Sequence, residues 1–378
     1  MTESTLVSDD ELVLHLIATG VVKLAEKVKD GKPLNLPYLT PLQLGLNKLS
    51  VICLLKGKTP PQGVPDLLKW CEQRPLVDWP LELTNYDFSQ EDKLLYEQIP
   101  TTLCYEELAC SNSDVEAELT QNKIIIRALN ICKDANAPES YVKFRRFLID
   151  NLVITDRQLV ECCLSLSPEA LTEPLKEAYE PAPDSAIVDD YFHCCSICGN
   201  LLLRHVKKGL ICPSVPETGT QSHRSHNSIN TTRRLHKQEG VFWLKRGLRQ
   251  FIAAPGVAEL RLEKQLKELG KGISVELWPE FDKYDLRIVF SDGKAWAVDV
   301  KDWKNPYCLA KKVNSQPVPY YPEWEKFYFV FPDDRRQQNP NYLQAFRQYC
   351  TILKKNTIDA DLESGLIKKV KQKLRQVK

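Results

Sequence analysis

Three residues of one short segment, Asp285, Asp299 and Lys301, are of the types that phosphodiester hydrolysis requires. Carboxylate oxygens are the ligands that Mg²⁺ and Mn²⁺ prefer, and such an ion generates a nucleophilic hydroxide near neutral pH. A neighbouring ammonium group can stabilise that hydroxide or the charge that develops on the phosphate. The three residues therefore indicate a metal-dependent phosphodiesterase site. A purely structural ion pair between Asp299 and Lys301 is the alternative.

The surrounding sequence predicts a β-hairpin that positions these side chains. Residues 284–290 are rich in β-branched and aromatic residues, residues 291–294 (SDGK) have Asp-Gly at the centre of a turn, and residues 295–300 are mostly apolar. Alternate residues of a strand share a face, so Asp299 and Lys301 project side by side from one face of the second strand. Asp285 lies at the start of the partner strand.

The D-x-K triplet at 299–301 is a weak signal when taken alone. The chain holds three other D-x-K triplets, which begin at Asp30, Asp292 and Asp302. None of those three lies on an apolar strand. The helix predicted over 257–269 adds Glu259 and Glu263, one turn apart, upstream of the hairpin. The combination is much more specific than any one member.

In this order of acidic helix, aspartate, hairpin and D-x-K strand, the chain resembles the PD-(D/E)xK phosphodiesterase superfamily, which has the restriction-endonuclease-like fold. The resemblance implies that Asp285 and Asp299 are metal ligands for Mg²⁺ or Mn²⁺ and that Lys301 is the catalytic lysine. It also implies that Glu259 is the helix glutamate, which orients the site or holds a second ion. Glu259 is preferred because its distance to Gly270, which ends the helix, is the more usual one for this superfamily. Glu263 is the alternative.

Two sequence segments suggest a narrower resemblance. Residues 277–285 (LWPEFDKYD) and 296–302 (WAVDVKD), which follow an upstream CxxCG, are similar to the endonuclease-like protein that accompanies prokaryotic PIWI-RE proteins in defence islands. This resemblance implies antiviral or antiplasmid defence with a PIWI-like or other defence-system partner. Restriction-endonuclease-like enzymes often use two active sites for a double-strand break, so the resemblance also makes a homodimer a reasonable expectation.

The composition is that of a globular chain with several domains. The chain has 378 residues, of which 43% are hydrophobic and 27% charged, and a net charge of +1. This length predicts two or three domains. No signal peptide and no run of 18 apolar residues occurs, which predicts a cytoplasmic protein without membrane association. In that setting the 13 cysteines indicate reduced thiols and a metal site rather than disulfides.

Residues 1–180 have the periodicity of a helical domain. A capping box at Ser8–Glu11 precedes the first apolar stripe. Further helical stripes are predicted over residues 42–55, 64–71, 91–97, 115–132, 140–151 and 156–165. In the fifth of these, Tyr141, Arg145 and Arg146 belong to a mixed aromatic and basic run. The spacing of Tyr141, Phe144 and Leu148 favours core packing over a phosphate-binding surface.

A small zinc module is predicted over residues 190–230. Cys195 and Cys198, followed by glycine, have the spacing of a zinc knuckle, and Cys212 follows a hairpin-sized segment. A structural Zn²⁺ would fold so short a module. His223 gives the most usual spacing for the fourth ligand. The alternative donors are His226, His193 and Cys194. A redox-active CxxC pair is the alternative to zinc, but no thioredoxin-like βαβ pattern surrounds it.

Basic side chains are frequent on both sides of the predicted nuclease domain. Residues 224–249 contain a run of arginines and lysines with two aromatic residues, which would suit a nucleic-acid backbone. Residues 365–378 predict an amphipathic basic helix. Either run could also be an ordinary solvated surface.

The sequence thus predicts an α+β multidomain protein: a helical domain (1–180), a zinc-knuckle module (190–230), a restriction-endonuclease-like nuclease domain (240–355) and a basic C-terminal helix (356–378). The predicted function is Mg²⁺- or Mn²⁺-dependent endonucleolytic cleavage of nucleic acid, with DNA as the first candidate. The competing hypothesis is a catalytically silent subunit that binds nucleic acid or acts as a scaffold in a defence complex.

Overall fold

A computed structural model describes residues 9–29, 36–110, 115–205, 209–214 and 231–377. The chain divides into two compact units. Unit 1 comprises Met1–Val115, Trp303–Gln316 and Gln344–Thr351, and unit 2 comprises Glu116–Asp302, Pro317–Leu343 and Ile352–Lys378. Helices and strands occur together along the chain, which confirms the predicted α+β class. Within the described ranges, no helix is both long and apolar enough to cross a bilayer.

Unit 1 is mainly helical. Its helices are Asp9–Lys29, Thr40–Leu55, Val64–Gln73, Thr102–Cys110 and Pro306–Asn314. The helix predicted over residues 91–97 is wrong, because Leu95–Tyr96 and Ile99–Pro100 pair as short antiparallel strands. Glu97 and Gln98 between them have φ angles of 49° and 63°. That left-handed conformation closes a two-residue hairpin turn and cannot continue a right-handed helix.

A five-stranded sheet forms the centre of unit 2. In spatial order its strands are Ile273–Leu277, Leu286–Phe290, Ala295–Val300, Lys326–Phe331 and Ile358–Leu362. The first three strands are antiparallel neighbours, and the last two add in parallel. The predicted hairpin is confirmed, with Gly293 in its turn at a φ of +78°. The start of the predicted C-terminal helix is instead the edge strand, because residues 358–362 hydrogen-bond to the neighbouring strand.

Several helices contribute side chains to one apolar cluster with this sheet, namely Val115–Asp134, Pro138–Asp150, Asp156–Ser165, Thr172–Ala178, Ala254–Lys267 and Glu363–Val377. Asp333–Gln338 lies in the same unit, where Tyr342–Tyr349 also begins. Trp296, Val298 and Val300 lie in one hydrophobic cluster with Leu262 and Leu266. These strand residues therefore share the buried face that the sequence predicts for them.

Smaller sheets connect the sequence segments on either side of the cysteine-rich region. Val241–Leu244 pairs with both Val153–Thr155 and Tyr179–Pro181. Tyr191–Cys195 pairs with Thr231–His236, and Leu203–His205 pairs with Gly209–Ile211. Because of these pairings, the boundaries predicted at residues 180 and 240 fall inside unit 2. The sequence-based division into domains stays a prediction.

Candidate active site

Asp285, Asp299 and Lys301 lie together at one end of the central sheet. Asp285 immediately precedes the strand Leu286–Phe290, and the other two residues lie at the end of the adjacent strand. The Oδ2 atom of Asp285 accepts a hydrogen bond of 2.6 Å from the backbone N–H of Val300. Lys301 Nζ donates to Asp299 Oδ1, also at 2.6 Å. The register of the hairpin thus places Asp285 next to the strand end that carries Asp299 and Lys301.

The charges of this cluster are strongly coupled. Burial, followed by the charges of Glu259 and Asp299, raises the pKa of Asp285 well above its ordinary value. Burial opposes the charged form of Lys301, but Asp299 and Asp285 outweigh that effect and raise the lysine pKa. Two mutually repelling carboxylates beside a retained ammonium group would gain from a bound cation. These residues fit a hard divalent ion.

Glu259 approaches the same cluster from the helix Ala254–Lys267. Its side chain is buried, and its pKa is raised by burial against the opposing charge of Arg145. Glu263, one turn further along the helix, is tied to other partners. It accepts hydrogen bonds from Arg146 Nη2 at 2.8 Å and from Lys267 Nζ at 2.7 Å. Of the two helix glutamates, Glu259 is therefore the one coupled to Asp285.

A buried arginine from the helix Pro138–Asp150 reaches this site. Arg145 Nη2 lies 3.1 Å and 3.0 Å from the two carboxylate oxygens of Glu259, and Nη1 donates to Asp282. The guanidinium carbon also lies 4.4 Å from the ring centroid of Trp278. Burial works against the charge, but Glu259 and Asp282 outweigh it and raise the pKa of Arg145. The site therefore contains a second permanent cation besides Lys301.

The turn that carries Trp278 and Asp282 is held in an unusual conformation. Trp278, Glu280, Phe281 and Asp282 have positive φ angles between 46° and 70°. Each such residue costs about 1–3 kcal/mol and persists only where the surroundings enforce it. Here Trp278 Nε1 donates to Glu259, and the Tyr141 hydroxyl donates to Asp282 at 3.0 Å. The turn is thus fixed by the same residues that surround Glu259.

Close helix packing sets the distance between Arg145 and Glu259. A Cβ added to Gly256 would lie 2.4 Å from Ile149 Cδ1, closer than real atoms approach. Gly256 precedes Glu259 by one turn, and Ile149 follows Arg145 by one turn. The glycine therefore allows the close approach that lets a guanidinium contact both glutamate oxygens.

The sequence predicts burial in the helix Pro138–Asp150 but not the role of its arginine. Tyr141, Phe144 and Leu148 are buried, as their spacing indicates. Arg145 is buried as well, although a basic side chain among such residues predicts a solvated position. The one usable signal was the mixture of aromatic and basic residues. Nothing in that mixture identifies a carboxylate 114 residues away as the partner.

The predicted zinc ligands Cys195, Cys198 and Cys212 converge. Their three Sγ atoms all lie within 4.8 Å of one another, and those of Cys198 and Cys212 are 3.5 Å apart. Two thiolates on one tetrahedral Zn²⁺ lie about 3.8 Å apart, given Zn–S bonds of about 2.3 Å. Gly199 completes the knuckle at a φ of +74°. The thiols therefore fit three corners of a tetrahedral metal site.

Among the described residues, no further His, Cys, Asp or Glu donor joins the three thiols within 4.8 Å. His223 and His226 both lie outside the described part of the chain. Cys194 packs with Phe192 in a separate apolar cluster, and His193 Nε2 lies 3.3 Å from the carbonyl oxygen of Val188. His223 accordingly stays a prediction for the fourth position.

We expect the purified protein to contain about one Zn²⁺ per chain, as one tetrahedral site requires. Cys198→Ser is expected to reduce the zinc content below about half an equivalent, because a hydroxyl replaces a thiolate ligand. Cys194→Ala is the matched control and should retain the metal. Elemental analysis of the three proteins measures the difference. Equal zinc contents in the two variants would contradict a site at the cysteine cluster.

Several members of the basic run at 224–249 are engaged within unit 2. Arg233 donates to the Val153 carbonyl and to Gln158 Oε1. Lys237 forms an ion pair with Asp190, and Arg249 is buried against the ring of Trp243. These side chains thus have partners within the same unit. The structure therefore does not support a continuous nucleic-acid-binding surface that includes these three residues.

Two segments of the chain match family models. Residues 256–378 match a family model described as "REase associating with pPIWI_RE", and residues 13–155 match one described as "pPIWI_RE three-gene island domain Y". Both are domains of the pPIWI_RE defence island. The first matched segment contains Glu259, Asp285, Asp299 and Lys301, and the second contains Arg145. No curated protein and no solved structure matches the chain.

This pPIWI_RE assignment supports a restriction-endonuclease-like nuclease at the C-terminal end. The matched segment holds the complete sheet, from Ile273–Leu277 to Ile358–Leu362, with the acidic helix before it. The Arg145–Glu259 ion pair connects residues of the two segments that match these different family models. It lies within unit 2.

Proposed function

We propose that the protein is a metal-dependent endonuclease that hydrolyses phosphodiester bonds of nucleic acid, with DNA as the first candidate substrate. One observation carries the proposal: Asp285, Asp299 and Lys301 lie together at one end of the sheet, where Asp285 accepts a hydrogen bond from the Val300 N–H and Lys301 donates to Asp299. The match to a family associated with pPIWI_RE supports the same reaction class and a defence role. The alternative of a structural ion pair explains Asp299 and Lys301 but not the coupled buried acids.

In the proposed reaction, Asp285 and Asp299 would hold Mg²⁺ or Mn²⁺, which would supply a hydroxide nucleophile and neutralise charge on the phosphate. The hydrogen bond from the Val300 N–H fixes one oxygen of Asp285, so the carboxylate is preorganised for binding. The ammonium group of Lys301 stabilises negative charge on the attacking oxygen or on the phosphate. Glu259 orients the site from the helix.

The biological setting proposed here is a defence system with at least one further component. One matched segment is named for a three-gene island, and the other for association with pPIWI_RE. A pPIWI_RE protein is therefore the proposed partner. Cleavage that requires this partner is compatible with the proposal, so the assay needs both the isolated protein and the reconstituted pair.

Cleavage of plasmid and single-stranded DNA with Mg²⁺ or Mn²⁺ tests the function. We expect ion-dependent products that chelation abolishes, and a rate lowered about 10²-fold by Lys301→Ala, which removes one charge-stabilising group. Lys294→Ala, in the turn of the same hairpin, is the matched control and should leave the rate unchanged. Nucleic-acid binding without cleavage, alone and with the partner, would instead establish the silent binding subunit.

A further inference from the structure

The carboxylate of Glu259 has little capacity left for a metal ion. Its Oε1 atom accepts a hydrogen bond from Arg145, and its Oε2 atom accepts from both Arg145 and Trp278. Both donor side chains are buried together with Glu259, so solvent water does not compete for these hydrogen bonds. An ionised carboxylate offers about four lone-pair sites, and a guanidinium and an indole occupy most of them here.

The positions of the carboxylates also separate Glu259 from the other two acids. Among the described residues, the cysteine cluster is the one group of three or more potential ligands whose donor atoms all lie within 4.8 Å of one another. Glu259, Asp285 and Asp299 therefore do not converge as a three-carboxylate set. Asp285 and Asp299 are instead linked through the strand pairing of Leu286 with Val298.

We propose that the site binds one divalent ion, held by Asp285 and Asp299, and that the guanidinium of Arg145 takes the place of a second ion beside Glu259. This inference rests on the proposed nuclease function. Arg145 is then a positioning residue: it fixes the Glu259 carboxylate through contacts to both oxygens, holds the left-handed turn through Asp282, and supplies a fixed positive charge. The helix Pro138–Asp150 becomes part of the catalytic unit rather than a separate domain.

Titration of the zinc-loaded full-length protein with Mn²⁺ by calorimetry tests the number of ions. We expect one Mn²⁺ per chain for the wild type and also one for Glu259→Gln, because Glu259 is not a ligand. Arg145→Met is expected to bind two, since its loss frees both oxygens of the Glu259 carboxylate from the guanidinium, whereas Arg145→Lys should retain one. Asp285→Asn should bind none. Circular dichroism confirms that each variant is folded.

The outcomes separate this inference from the function on which it rests. Two ions in the wild type with one in Glu259→Gln, or one ion in folded Arg145→Met, would overturn the role of Arg145 and leave the nuclease proposal intact. If Arg145→Met does not fold, the wild type and Glu259→Gln decide the question alone. No Mn²⁺ binding to the wild type would contradict the proposed function itself.

Discussion

Asp285→Asn is expected to lower metal-dependent cleavage by about 10³-fold, which corresponds to about 4 kcal/mol of lost transition-state stabilisation. The substitution replaces a charged ligand by a neutral amide of the same shape. The amide oxygen can still accept the hydrogen bond from the Val300 N–H, so the local backbone needs no rearrangement. The loss of rate therefore reports metal binding rather than folding.

The same substitution is expected to leave the metal-free protein at least as stable as the wild type at neutral pH. The pKa of Asp285 is raised in the folded state, chiefly by burial. A group with a raised pKa contributes stability that is complete below its unfolded pKa and is lost as the pH rises through the folded pKa. Asparagine cannot ionise, so the variant should lose less stability than the wild type as the pH rises.

The rate of metal-dependent cleavage measures the first effect. Urea unfolding of the metal-free protein at pH 5 and at pH 8 measures the second. Asp292→Asn is the matched control, because it removes an aspartate from the D-x-K triplet in the turn of the same hairpin. It should retain full activity. If Asp285→Asn lowered stability and activity together, a structural role for Asp285 would be indicated instead.

The local parts of this site could be predicted because the sequence encodes them within a few residues. The hairpin follows from β-branched strands around an Asp-Gly turn, and strand periodicity places Asp299 beside Lys301. The cysteine cluster follows from the CxxCG spacing and a later cysteine. In each case the physical constraint acts between residues that are close in sequence or connected by one turn.

The remaining parts depend on contacts between distant segments. The partners Arg145 and Glu259 are 114 residues apart in the chain, and no periodicity connects them. The turn Trp278–Asp282 adopts left-handed angles that its own residue types disfavour, so only the surrounding contacts specify it. The edge strand Ile358–Leu362 likewise forms because a neighbouring strand supplies its hydrogen-bond partners. The ion pair, the turn and the edge strand are therefore all determined by tertiary contacts.

Arg145→Met is expected to destabilise the protein by about 3–5 kcal/mol, the cost of removing one partner from a buried ion pair. The side chains of Arg145 and Glu259 are 8% and 4% exposed. Without the guanidinium, the Glu259 carboxylate would be buried with only the Trp278 indole as a charge-stabilising donor among the contacts described above. Urea unfolding curves, with unchanged slopes, measure the difference.

The adjacent residue provides a matched control. Arg146 also pairs with a glutamate of the facing helix, but its side chain is 37% exposed, and Glu263 keeps a second partner in Lys267. We therefore expect Arg146→Met to cost only about 0–1 kcal/mol. Equal costs for the two arginine variants would contradict a special role for Arg145.

A double variant separates the charge of Glu259 from the packing of Arg145. In Arg145→Met/Glu259→Gln no ionised carboxylate is left at position 259, so part of the stability lost in Arg145→Met should return. Methionine retains much of the apolar volume of the arginine stem, so the remaining loss reports Asp282 and the turn. If the double variant were as unstable as the sum of the singles, the ion pair would contribute nothing, and packing against Trp278 would explain the whole effect.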